Sequence, residues 1–141
     1  MSTAQKHIEA NCLERLRLFC GYLDEFWNEG KITINNVDRV INILDESGEL
    51  DILEDELSEF RCSGEPHYWE GSPDALYSRH YEYDLVIAKL EDGTWVGWLY
   101  YYGGGKHGDP GSIEWLEHAQ ILDVVSEKRV TTTVREFKAK A

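Results

Sequence analysis

Apolar side chains at Ile8, Cys12, Leu16, Phe19, Leu23 and Phe26 recur every three or four residues, and Glu14, Arg15, Arg17, Asp24 and Glu25 mostly fill the gaps. That spacing predicts one amphipathic helix over residues 4 to 28, closed by Asn28-Glu29-Gly30. Val37, Val40, Ile41 and Leu44 form a second helical stripe, with Thr33 or Asn35 as cap and Gly48 as stop. Leu53, Leu57 and Phe60 mark a shorter third helix. Residues 63 to 80 hold Gly64, Pro66, Gly71 and Pro73 among serines and read as a connecting loop. His67, Tyr68, Trp69 and Tyr77 are heavy for a free tether, so the loop is expected to pack on the body.

Beyond residue 80 the period changes to two. Residues 83 to 90 and 95 to 102 flank Asp92-Gly93, a hairpin signal. A two-residue turn there pairs Glu91 with Thr94, Leu90 with Trp95, Ile87 with Trp98 and Leu85 with Tyr100. A second hairpin is predicted from 119 to 125 and 129 to 137, the latter rich in branched Thr131, Thr132, Thr133 and Val134. The expected fold is α+β: N-terminal helices packed on a four-stranded antiparallel sheet of two hairpins. One domain spans 1–141, with a helical part (1–62), the loop (63–80) and the sheet part (81–141).

At 141 residues the chain has the size of one domain with one core. It has no apolar run of the ~20 residues that a bilayer span needs. The polar N-terminus lacks an export signal, so the expected location is cytoplasmic, in a bacterial host. Three cysteines are an odd number in a chain expected to lack an export signal, so thiols are expected instead of a disulfide framework. Cys12 and Cys20 share the first helix's apolar face, and Cys62 with His67 lacks zinc-ligand spacing.

Charge changes the picture most. The net charge is -13, and residues 45–70 hold ten acids against one base. Bare nucleic acid and anionic lipid are therefore excluded as direct partners. Asp45, Glu46, Glu49, Asp51, Glu54, Asp55, Glu56 and Glu59 form the candidate acidic patch. Such a row either solubilises the protein or occupies the place of nucleic-acid phosphates in a basic groove of a partner. Calcium of the EF-hand type is rejected, because the sixth position counted from Asp45 is Leu50 where glycine is required.

The passage Tyr101-Tyr102-Gly103-Gly104-Gly105-Lys106-His107-Gly108-Asp109-Pro110 is the second candidate. It satisfies G-x-G-x-x-G only formally, since Asp109-Pro110-Gly111 follows where a helix should open. Three readings stand: an anion-binding nest at Gly103 to Gly108 with Lys106 and His107, a protein-binding loop with Tyr101, Tyr102 and Trp115 as anchors, or a wide turn whose aromatics supply core. In the last, Ser112 caps a helical turn reaching Glu117. The five histidines sit in no nucleophile or metal motif, and no enzyme activity or cofactor is expected.

The stretch from Trp98 through Trp115, and more loosely from Trp95 to Phe137, resembles a segment of small uncharacterised phage and prophage proteins. The resemblance covers about a third of the chain and implies origin on a mobile element. Small acidic phage proteins include anti-CRISPR and anti-restriction inhibitors, so the likeness implies a non-enzymatic inhibitor of a host defence complex with a nucleic-acid groove. The alternatives are a binder of small anionic, nucleotide-like ligands and a structural or assembly protein. A homodimer is compatible with either.

Overall fold

The computed structural model describes residues 3–75, 81–104, 108–125, 127, 135 and 137–139. Three helices come first: α1 (Thr3–Phe19), α2 (Val37–Glu46) and α3 (Leu50–Arg61). They are followed by four strands, β1 (Glu65–Pro66), β2 (Glu82–Lys89), β3 (Trp95–Tyr102) and β4 (Gln120–Leu122). The strands form one antiparallel sheet in sequence order. The fold is α+β, as expected.

α1 is shorter than its hydrophobic period implies. Gly21, at φ 63°, turns the chain out of the helix nine residues before Gly30, and a short 3-10 turn follows at Tyr22–Glu25. A helix takes whichever early glycine tertiary packing rewards. Buried Leu23 and Trp27 then dock separately. One result is that Phe19, read as core, is exposed, and so is Cys20, which does not share the burial of Cys12. The loop into α2 is tied by the Glu14 carboxylate, which accepts from Arg17 Nε at 2.5 Å and from the Ile32 N–H at 3.1 Å. These bonds hold Glu14 below the usual carboxylate range, Arg17 contributing most. α2 opens at Asn36 rather than at a Thr33 or Asn35 cap: Asn36 Oδ1 accepts from the Thr33 N–H at 2.8 Å, and Gly48 closes the helix at φ 72°.

The β2–β3 hairpin is present, shifted by one residue from the expected register. Lys89 faces Trp95, Ile87 faces Gly97 and Leu85 faces Leu99. The connection has three residues between Leu90 and Thr94, whose backbones bond at 2.8 Å. Asp92 stays at negative φ, its Oδ1 accepting from the Thr94 N–H at 2.9 Å, and Gly93 alone takes the left-handed position. A turn with both central residues left-handed is thereby replaced by the three-residue form ending in a bulge. A slip of one residue exchanges the two faces of a strand relative to its partner. β1 lies inside the segment read as loop. β4 confirms part of the 119–125 strand, and 128–134 lies outside the described residues.

Trp98 is fully buried where α3 meets the sheet. Its ring lies 5.0 Å from Phe60 and 5.6 Å from Trp115, and its indole N–H donates to the Arg61 carbonyl at 3.2 Å. Arg61 is itself buried; its guanidinium donates to the Tyr101 carbonyl and stacks 4.6 Å from the Tyr100 ring. Gly64 passes so close that a Cβ there would sit 2.7 Å from Val86 and 2.9 Å from Trp98. The chain then crosses to the opposite face, where Trp69 covers Gly97 and donates to Gln120 Oε1 at 2.6 Å. The loop packs on the body, as its aromatic content implies.

Gly64→Ala is expected to destabilise the protein by about 2–3 kcal/mol, because neither Val86 nor Trp98 has room to retreat; urea unfolding measures this. Glu9 on α1 is buried with Oε1 unbonded, and burial, reinforced by Asp38, pushes its pKa to about 6, against smaller opposing effects of Gln5 and Lys6. A carboxyl raised in the folded state binds more protons there than when unfolded, so stability falls as pH rises from about 4.5 to about 6. Glu9→Gln is expected to raise stability at pH 7 by about 1 kcal/mol and to flatten that portion of the pH profile.

Candidate functional site

Successive helical residues are about 100° apart, so Leu53, Leu57 and Phe60 turn one side of α3 to the core while Glu54, Ser58, Asp51, Asp55 and Glu59 fill a solvent-facing arc of about 140°. Four of these five carry carboxylates, and Ser58 turns its hydroxyl back to the Glu54 carbonyl at 3.0 Å. None of the four has an ion-pair partner among the described residues. The described cations of the C-terminal segment, Arg135 and Lys138, do not pair with them either. Of the other candidates, Asp45 and Glu46 are exposed at the end of α2, one turn from the start of α3. Glu49 is half-buried in the connection beside Tyr22. Glu56 is half-buried and faces Arg15 at 3.9 Å. The structure thus gathers Asp51, Glu54, Asp55 and Glu59 on one open helix face and sets Glu49 and Glu56 on its inner border.

α1 and α3 run antiparallel, with Arg15 opposite Glu56 and Tyr22 opposite Glu49 and Asp51. Glu49 most, then partial burial, Glu25 and Asp51 push the Tyr22 pKa up. Between these contacts, in the last turn of α1, Leu18 and Phe19 stand 58% and 78% exposed, and Tyr22 just beyond them is 47% exposed. Phe19 escaped notice as a surface residue because it fits the helical stripe, while Leu18 and Tyr22 fall outside that stripe; Gly21 was the signal that the stripe ends early. Cys12 nearby lines a cleft of about 210 Å³ with Arg15 and Glu56, but burial pushes its thiol pKa up to about 12, which suppresses the thiolate.

The glycine segment divides differently. Gly103, Gly104 and Gly108 all adopt positive φ, at 73°, 81° and 110°. Gly105, Lys106 and His107 lie outside the described residues, so the anion-nest reading has no described cation to rest on. Tyr101 and Trp115, read as loop anchors, are buried, and Tyr102 is half-buried. These two rings contribute core instead of contact surface. The turn after the loop starts earlier than expected: Pro110–Ser112 forms a 3-10 turn capped by Asp109, whose Oδ1 accepts from the Gly111 N–H at 2.8 Å, while Ser112 donates back to the Asp109 carbonyl. Tyr101 and Trp115 also wall a cleft of about 270 Å³ rimmed by Asp74, Glu114 and His118, and Glu114 Oε1 accepts from the Glu117 N–H at 2.8 Å.

Compared with known proteins, the chain matches no family model, no curated protein and no solved structure. No helix among the described residues is long and apolar enough to cross a membrane.

Like charges four apart on a helix repel by a few tenths of a kcal/mol each, as Asp51 with Asp55 and Asp55 with Glu59 do here. Neutralising the row as Asp51→Asn, Glu54→Gln, Asp55→Asn and Glu59→Gln is therefore expected to raise the melting temperature at low salt. Added salt should stabilise the parent and leave the variant nearly unchanged, in calorimetry across an ionic-strength series.

Proposed function

We propose that this protein is a non-enzymatic, phage-type inhibitor that binds a host nucleic-acid-handling defence complex, with the outer face of α3 standing in for a nucleic-acid backbone. The observation that supports this most is the continuous row of Asp51, Glu54, Asp55 and Glu59, free of cations among the described residues, on a helix held rigidly by Phe60 and Arg61. A protein selected only for solubility gains as much from scattered charge, and paired charge would relieve the repulsion that this row carries. A basic groove supplies the missing counter-charge and releases its own bound anions on docking, so association is steered electrostatically. Asp45 and Glu46 extend the negative field beyond the start of α3. Rigidity matters to this reading, because a row of charges held in place loses little conformational entropy on binding.

The target should bind with an affinity that falls steeply between about 50 and 300 mM salt, and it should release nucleic acid as the protein is added. Surface plasmon resonance with competing duplex checks both. The four-site neutral variant is expected to lose at least tenfold in affinity; salt-independent binding that leaves the nucleic acid in place would overturn the assignment.

A further inference from the structure

The acidic row is one part of the surface that the antiparallel α1–α3 pair turns to solvent. Where Tyr22 meets Glu49 and Asp51, the last turn of α1 adds Leu18 and Phe19, so that three large apolar groups stand 47–78% exposed beside the start of the acidic helix. Glu49, Glu25 and Asp51 are all close enough to act on the Tyr22 phenol. From this juxtaposition of an exposed apolar ridge and a row of unpaired carboxylates, we propose that the surface docks a cationic amphipathic helix of the partner protein, its apolar stripe seated on Leu18, Phe19 and Tyr22 and its basic flank on α3. This rests on the reading of α3 as a protein-docking face and specifies what the partner presents there.

Charge complementarity selects this occupant. A nucleic-acid strand or an anionic membrane meets repulsion from the row on α3. A second copy of this chain would bring the same carboxylates against themselves, so the ridge does not close a symmetric dimer at low cost. An amphipathic helix instead offers an apolar stripe next to a charged one with the spacing that two adjacent helices present, as helix-in-groove recognition requires. Phe19 and Tyr22 are the ring types that anchor such contacts, and the Tyr22 ring already packs 6.1 Å from that of Phe26. The apolar contact also gives the association a component that salt does not screen, which the carboxylate row alone lacks.

Two synthetic peptides of about 18 residues test this, long enough for five helical turns: one of Leu and Lys with the leucines on a single helical face, and one of identical composition scrambled so that no apolar face forms. Fluorescence anisotropy at about 50 and about 500 mM salt reads the binding, across a Debye length that shortens by a factor of roughly three. The amphipathic peptide is expected to bind at least tenfold more tightly and to retain measurable affinity at the higher salt. The paired substitution Leu18→Ser and Phe19→Ser should erase that advantage while leaving the scrambled peptide unaffected and the melting temperature within a few degrees, since both side chains are exposed. Equal binding of the two peptides, or an advantage that survives the paired substitution, would overturn the ridge as a docking element. So would sedimentation showing a dimer that the paired substitution dissociates. If the neutral α3 variant loses the scrambled peptide while the ridge variant changes nothing, the acidic face stands and the ridge fails; if neutralising α3 changes neither peptide, the acidic face itself fails.

Discussion

The contact on which the two layers depend is the seating of the Trp98 indole under the end of α3. A fully buried tryptophan contributes the largest apolar surface of any side chain and carries one N–H that must find an acceptor. Here the acceptor is the Arg61 carbonyl, one of the groups that a helix C-terminus leaves without an internal partner. Arg61 then reaches back to the Tyr101 carbonyl and packs on Tyr100, so one residue both accepts from β3 and donates to it. Gly64, unable to bear even a methyl group, lets the chain leave the helix against that ring. The orientation of α3 is fixed by these contacts at one end, and its outer face is consequently available for charge.

That division of labour explains how so acidic a helix persists. Isolated, a twelve-residue helix with carboxylates four apart is marginal. In the protein, Leu53, Leu57 and Phe60 hold it to the core, and among the described residues only its Glu56, on the inner border, faces a cation. The open face therefore keeps its field, and the ridge at the end of α1 keeps its rings exposed. The burial of Glu9 shows the opposite arrangement: a carboxyl drawn into the α1–α2 contact carries a desolvation penalty and takes up a proton near pH 6.

Most of this organisation was legible in the residues. Period 3.6 located α2 and α3, period 2 located β2 and β3, and the wheel of α3 already separates Leu53, Leu57 and Phe60 from the acids. Where pattern misled, a local choice was decided by tertiary packing. The stripe through Phe19 to Phe26 is as compatible with one long helix as with a helix broken at Gly21, and the docking of Leu23 and Trp27 chooses the break. Asp92-Gly93 suits both two- and three-residue turns; the Asp92 side chain bonded to Thr94 selects the longer one and moves the register by one. Composition alone left Tyr101 and Trp115 open between interface anchors and core, since buried and displayed aromatics have the same letters, and their burial favours core. β1 is too short to have a period at all.

That two-residue strand has a further effect on how the molecule behaves in a crowded solution. It occupies the outer side of β2, and its second residue, Pro66, has no amide hydrogen to offer to an incoming chain. A growing stack of sheets needs an uninterrupted ladder of donors and acceptors on its growing side, and here the outer strand is only two residues long with an imino acid as its second. The protein thus presents on this side a poor template for fibril growth, without calling on its exposed acids for colloidal protection there.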